Sequence, residues 1–344
     1  MSNFTKEMSE HKIEMSCLVD WLSFTLQDNS KHSVDSIITD ILQIDKDKFF
    51  DCKKGHHGYK SQKAYDNIRI YSDGNTGMGI HVQMSGSGCR LFEETYKGTW
   101  KDFLLSINDA NISRIDLAID EKQGLLDLEK MAEKIKNKEV VTQFRSWTET
   151  NSGTFEFKNI GKTLYLGSVT SDIRFRIYDK AYETAHKWLM TLDENEIPRR
   201  ELMRWSEENH WVRFELQFRD DLAQQIVSKI IENNDDNFFP LVAGVIKDKI
   251  RFVEPSESDI NNRRWVESDF WLTFLEGVEK LKISVKPKKK DITDSLNHFE
   301  KQYAPTLATI FTYFEGDLDS ILSIIYRGKK RMKSKHYELL NSVT

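Results

Sequence analysis

Ser113-Arg-Ile-Asp-Leu-Ala-Ile-Asp120 alternates between branched apolar side chains and charged or small ones. A period of two is that of a β-strand with one face in a core, so Ile115, Leu117 and Ile119 point one way. Arg114, Asp116, Ala118 and Asp120 then share the other face. In Trp211–Arg219 (WVRFELQFR) the same reading sets Arg213, Glu215, Gln217 and Arg219 opposite Phe214, Leu216 and Phe218. In Ile173–Lys180 (IRFRIYDK) it sets Arg174, Arg176, Tyr178 and Lys180 opposite Ile173, Phe175 and Ile177. Three strands that are apolar on one side only predict a sheet with one buried and one polar face.

Upstream, Val19–Leu26 reads as a strand with Val19, Trp21, Ser23 and Thr25 on one face. Ser33 is placed to cap a helical stretch. After the turn Gly55-His56-His57-Gly58-Tyr59, the runs Ile68–Tyr71 and Gly79–Met84 flank Ser72-Asp73-Gly74-Asn75 and predict a hairpin. Helices are expected at Trp100–Asn108 and Leu126–Lys138, and strands at Val140–Thr148, Thr154–Lys158 and Lys162–Gly167. Strands separated by helices, with hairpins among them, predict an α+β domain over residues 1–250, a largely antiparallel sheet flanked by helices. Residues 251–344 turn helical at Ser268–Leu281, Ser295–Phe314 and Asp319–Tyr326, with Pro305 expected to split the second segment. They read as a mostly helical C-terminal module with a basic rim, suited to binding DNA.

With 39% hydrophobic and 31% charged residues, the 344-residue chain has the composition of a globular protein. No apolar run approaches the roughly 18 residues that cross a bilayer. The polar, mixed-charge N-terminus lacks a secretory h-region, and a cytoplasmic location is expected. Cys17, Cys52 and Cys89 are too scattered for a disulfide framework or a CxxC zinc site. The net charge of −5 is uneven: Lys280–Lys335 holds thirteen Lys/Arg and six Asp/Glu, a local +7 on a body of −12. That asymmetry permits DNA binding.

Asp116, Asp120 and Glu215 place carboxylates on two strands where they could converge on one hard divalent cation, Mg²⁺ or Mn²⁺. The same alternation also describes any half-exposed strand. Tyr178, flanked by Arg176 and Lys180, has what a phosphoryl-transfer nucleophile needs, since cations favour the phenolate and pair with phosphate oxygens. A surface tyrosine packed on arginine stems looks alike. In Ser85-Gly-Ser-Gly-Cys-Arg90 the glycines allow close backbone approach and Arg90 could grip a phosphate; a tight turn between strand and helix is the other reading. Lys288, Lys289 and Lys290, with Lys329, Lys330 and Arg331, are natural contacts for duplex phosphates.

Taken in order, HVQMSGSGCR, RIDLAID, YLGSVTSDIRFRIYDKAYE and RFELQFR closely resemble the replication initiation factor (Rep_trans) family. That family includes initiators of rolling-circle plasmids and MobT-type relaxases of integrative conjugative elements. The resemblance runs from about Asp20 past Tyr303, through Asn262-Arg-Arg-Trp265 and EKQYAPTLATI. It implies a metal-dependent nicking enzyme in which Tyr178 is the nucleophile and forms a 5′-phosphotyrosine. Asp116 and Glu215, and less directly Asp120, are the implied metal carboxylates, with Arg176 and Lys180 neutralising the phosphate. The His-hydrophobe-His pair of HUH nucleases is absent, in keeping with a carboxylate site. Origin DNA with a hairpin and a single-stranded nick site, a host helicase and polymerase, and a homodimer are the implied partners. Two other readings fit the same residues: a carboxylate-metal endonuclease that uses water, and an inactive origin-binding regulator.

Overall fold

The computed structural model describes residues 17–27, 31–158, 160–191, 199–233, 237–276, 278–283, 292–333, 336–337 and 340. Ten strands form one antiparallel sheet: β1 (Cys17–Leu26), β2 (Phe50–Asp51), β3 (Ser61–Tyr65), β4 (Ile68–Ser72), β5 (Ile80–Ser85), β6 (Asn111–Glu121), β8 (Trp147–Gly153), β9 (Ile160–Leu166), β10 (Ile173–Asp179) and β11 (Val212–Arg219). Their order is β2-β3-β4-β5-β1-β6-β11-β10-β9-β8. β7 (Val140–Thr142) and β12 (Ile250–Phe252) pair separately. The α+β class and the antiparallel sheet are as the alternation predicts.

The apolar face forms the core. Leu22, Phe24, Ile115, Leu117, Ile119, Phe175, Ile177, Phe214, Leu216 and Phe218 are fully buried. Each such side chain contributes roughly 1.5–3 kcal/mol relative to exposure. Helix Asp220–Glu232 packs on β6 and β11. Helix Asp269–Phe274 sets Trp271 and Phe274 against Phe214, at 6.3 and 6.1 Å between ring centroids. At the other end, Phe92 of helix Gly86–Thr95 and Phe103 of helix Trp100–Ser106 close over Phe24. On the opposite face the charged side chains of the central strands pack against one another, with Asp116, Tyr178, Arg213 and Glu215 buried.

Several elements depart from the sequence reading. Residues 154–158 are not a strand; the expected Val140–Thr148 strand breaks into β7 and β8. Helix Asp269–Phe274 ends well short of Leu281. Ser85–Arg90 is not a loop, because the helix starts directly at Gly86. A Cβ on Gly88 would lie 2.5 Å from the Asn67 carbonyl, so that glycine lets the helix touch the β3–β4 turn.

The chain divides into two compact units, residues 1–284 and 285–344, where the sequence pattern placed the boundary at 250. Residues 251–283 fall in the first unit because β12 pairs with β7 and Trp271 enters the core. In the second unit, helices Ile292–Gln302, Ala304–Tyr313 and Leu318–Lys329 are described, and the first two are separated next to Pro305 as expected. No helix among the described residues is long and apolar enough to cross a membrane.

Candidate active site

Strand register assembles the site as a grid on the polar face. Tyr178 on β10 lies opposite Arg213 on β11, which lies opposite Asp120 on β6. The next row is Arg176, Glu215 and Ala118, and the third is Arg174, Gln217 and Asp116. Asp116 and Glu215 are therefore diagonal neighbours, with the small Ala118 beside both. Diagonal pairs across a sheet stand roughly 7–8 Å apart, within joint reach of long side chains.

The carboxylates are not equivalent. Asp116 is 1% exposed and is gripped by Arg114, whose Nε donates to Oδ1 at 2.9 Å. Asp120 is held bidentately by Arg213 at 2.7 and 2.8 Å, and the same guanidinium donates to Asp20 at 2.8 Å. Asp120 is thus turned toward an arginine, and no group of three His, Cys, Asp or Glu side chains among the described residues gathers around one point. The set Asp116, Asp120 and Glu215 named from sequence is split into a buried pair and a salt-bridged neighbour.

Glu215 is the unbalanced member. It is 7% exposed and its Oε2 is buried without a hydrogen bond; the nearest cation, Arg176 Nη1, is 3.5 Å away. Burial first, then the charges of Asp116 and Asp20, push its carboxyl up to about 7. Burial also raises Asp116, against the pull of Arg114. Gln217 Oε1 is a second buried oxygen without a partner. Orphaned oxygens between mutually repelling carboxylates fit a hard divalent cation, for which Asp116 and Glu215 would be the anionic donors.

A consequence follows for the metal-free protein. Glu215 holds its proton more tightly folded than unfolded, so its stabilisation is complete below about pH 4.5 and lost as pH rises through about 7. In EDTA the melting temperature is expected to fall between pH 5 and pH 8, and Glu215→Gln to flatten that fall. An equally steep fall in the variant would assign the effect to another group.

Tyr178 is 2% exposed, with the Arg176 guanidinium 3.9 Å and Lys180 Nζ 5.6 Å from its ring centroid. The expected cations are present, but they do not produce a resting phenolate. Burial drives the hydroxyl well above its ordinary value and Glu183 adds to the rise; Arg213 and Arg176 oppose it. Lys180 opens helix Lys180–Thr191 and does not continue the strand. Both Lys180 and Arg176 are bonded to Glu183, Arg176 at 3.2 Å.

Arg90 is committed elsewhere, donating to the Val19 carbonyl and pairing with Glu93 at 2.8 Å. Lys329 ends its helix and Lys330 and Arg331 follow it, all exposed, in the second unit. Lys288, Lys289 and Lys290 lie outside the described residues.

Sequence reading missed Asp20 and Glu183. A β-bulge between Val19 and Trp21 shifts Val19 opposite Leu117, on the apolar face, and frees Asp20 to meet Arg213. The signal was an acid where the alternation of β1 breaks.

Residues 110–325 match the replication initiation factor family, and residues 16–106 match the N-terminal domain of rolling-circle replication initiation proteins. The chain belongs to the replication initiation factor family. Asp116, Asp120, Tyr178 and Glu215 all lie within the first matched segment. Among relatives of this family member, a Bacillus subtilis (strain 168) protein assigned as the DNA relaxase NicK is 30% identical over 302 residues, 85% of this chain and 80% of that one. The fold is similar to that of a rolling-circle replication initiator from Geobacillus stearothermophilus, at a TM-score of 0.65 and 31% identity, covering 78% of this chain and 98% of the other.

Proposed function

We propose that this chain is an origin-specific DNA nicking and closing enzyme that starts rolling-circle replication or conjugative transfer through a 5′-phosphotyrosine at Tyr178. The supporting observation is the grid itself: a tyrosine between guanidinium groups, with two buried carboxylates one and two rows away, in a member of an initiator family.

In this reading the scissile phosphate lies over Tyr178, Arg176 and Arg213. Tyr178 Oη attacks phosphorus in line, a new P–O bond forms, and the bond to the 3′ oxygen breaks to leave a 3′-OH. Because burial keeps the phenol neutral at rest, its proton passes to solvent as attack proceeds, and the departing 3′ oxygen takes one up, so no proton is gained or lost overall. Arg176 and Arg213, which already pull that hydroxyl downward, carry the charge that develops. Mg²⁺ or Mn²⁺ held by Asp116 and Glu215 would supply Lewis-acid polarisation of the phosphate oxygens. Asp120 holds Arg213, and Glu183 holds Arg176 and Lys180 until phosphate displaces it. The phosphotyrosine keeps the phosphodiester's energy, so a 3′-OH can reverse the step and reseal the strand without ATP.

The origin is a hairpin whose loop is nicked as single strand, in the cytoplasm, with a host helicase and polymerase extending from the 3′-OH. A homodimer is the assembly that the family resemblance implies. Mn²⁺-dependent relaxation of a supercoiled plasmid carrying the origin tests the activity; a chain that binds origin DNA and never relaxes it would be a regulator. The burial of Tyr178 favours one competing reading, in which water attacks at the carboxylate pair and Tyr178 only packs on Arg176.

The cations of the second unit are assigned to the duplex stem. Changing Lys288, Lys289, Lys290, Lys329, Lys330 and Arg331 to Ala is expected to weaken duplex binding and flatten its salt dependence. Each lost phosphate contact lowers the log–log slope by about 0.9. Cleavage of a single-stranded oligonucleotide should persist; an unchanged duplex slope with lost oligonucleotide cleavage would reverse the assignment.

A further inference from the structure

The polar face continues beyond Asp116. Arg114 lies opposite Ser23, Ser23 opposite Gln83, and Gln83 opposite Arg69. The Arg114 guanidinium sits 4.1 Å from the Trp21 ring centroid, between the carboxylates and this extension. One row further, Thr25 lies opposite His81 and His81 opposite Tyr71. There three rings meet: Tyr59 and His81 at 6.3 Å and 20°, Tyr71 and His81 at 5.8 Å and 34°, Tyr59 and Tyr71 at 6.0 Å and 35°. Near-parallel rings this far apart are displaced sideways, so they tile a surface. His57 meets Tyr71 edge-on at 5.5 Å and 82°. Tyr71 is buried as the floor, Tyr59 and His81 are half-buried and His57 is exposed.

The turn carrying Tyr59 is fixed in place. Its backbone is closed by Gly55 N–H to the Lys60 carbonyl at 3.1 Å and Tyr59 N–H to the His56 carbonyl at 3.0 Å. Tyr59 Oη donates to the Met78 carbonyl at 3.0 Å, and His81 Nδ1 and Thr25 Oγ1 share a hydrogen bond of 2.9 Å. His57 has φ +56°, a left-handed conformation that a residue with a β-carbon keeps only where its surroundings hold it. Burial, aided by His57, lowers His81 to about 4, so the ring is uncharged near neutrality. Lys53, Lys54 and Lys60 line the same turn and Arg69 the adjoining row.

Fixed, tiled aromatic rings bordered by cations are the means by which proteins hold single-stranded nucleic acid, the rings taking bases and the cations the backbone. We propose that Tyr59, His81 and His57 form a base-stacking subsite for the single strand that flanks the nick. From Tyr178 the subsite is four strands across and about eight residues along the sheet, on the order of 30 Å, a span of several nucleotides. It rests on the reading that single-stranded DNA is cut at Tyr178. It also gives the Gly55–Tyr59 turn a role that the nicking chemistry leaves unassigned.

The test is binding of the full chain to a fluorescent oligothymidylate long enough to cross the sheet, and to a deoxyribose-phosphate chain of equal length without bases. Tyr59→Phe keeps the ring and should bind oligothymidylate within twofold of the parent. Tyr59→Leu and His57→Gly should bind it about tenfold more weakly, with no change on the baseless chain and no change in salt slope. Glycine accepts the φ of residue 57, so the second variant is expected to fold even if the first does not. Equal losses on both probes, or no loss on oligothymidylate, would overturn the subsite. Should the parent nick origin plasmid without ring-dependent binding, the subsite falls and the nicking reading stands. Ring-dependent binding by a parent that never nicks would uphold the rings as a base-binding surface and remove the nicking reading.

Discussion

Tyr178→Phe is expected to abolish nicking of supercoiled origin plasmid, at least about 10³-fold below the parent, while DNA binding stays within a few-fold. The substitution removes one oxygen and keeps the ring against Arg176 at 3.9 Å, so packing and the cationic surroundings are preserved. Only the nucleophile is lost. Conversion of supercoiled to open-circular DNA is the measurement, and a variant that nicks at near the parental rate would show that Tyr178 is a packing residue.

The carboxylates should separate into two grades. Asp116→Ala and Glu215→Ala are expected to remove Mn²⁺- or Mg²⁺-dependent cleavage, again by at least about 10³-fold, as EDTA should for the parent. Asp120→Ala should cost about 10–100-fold, because Asp120 acts by holding Arg213 and not at the phosphate. Full activity in EDTA would contradict a metal mechanism of any kind. Equal losses at all three positions would place Asp120 beside Asp116 and Glu215 as a metal carboxylate.

Much of this arrangement was legible in the alternation of three strands. RIDLAID, IRFRIYDK and RFELQFR placed Asp116, Asp120, Arg176, Tyr178 and Glu215 on one face, and the register brings that face together. What alternation cannot show is an interruption of itself: the bulge at Asp20 reversed the side assigned to Val19 and hid a carboxylate that bonds Arg213. Glu183 escaped because it lies on the helix after β10, where a strand pattern says nothing about which acid folds back. β3 (SQKAY) has no branched apolar residue and is a strand because Gln62 and Ala64 are buried between neighbours. That the first compact unit continues past 250 was hidden for a related reason, since β12 is a strand only through its distant partner β7.

The electrostatics were the least legible part. Sequence shows charges but not desolvation, so counting cations around Tyr178 shows what favours the phenolate and misses the burial that raises the hydroxyl. By the same token nothing in FELQF marked Glu215 as the acid pushed to about 7, which depends on a strand-to-strand diagonal with Asp116 and on burial.

The central claim, that the strand is cut by Tyr178 and not by water, is tested most directly by following each end of a cleaved oligonucleotide. A single-stranded oligonucleotide spanning the nick site, labelled at its 3′ end in one sample and its 5′ end in another, is cleaved with Mn²⁺ and resolved on a denaturing protein gel. The 3′ label is expected to migrate with the protein, on a peptide whose added mass maps to Tyr178, while the 5′ label runs free on a fragment ending in a 3′-OH. Both labels running free of protein, with a 5′-phosphate at the cut, would contradict it and establish hydrolysis by water at the carboxylate pair.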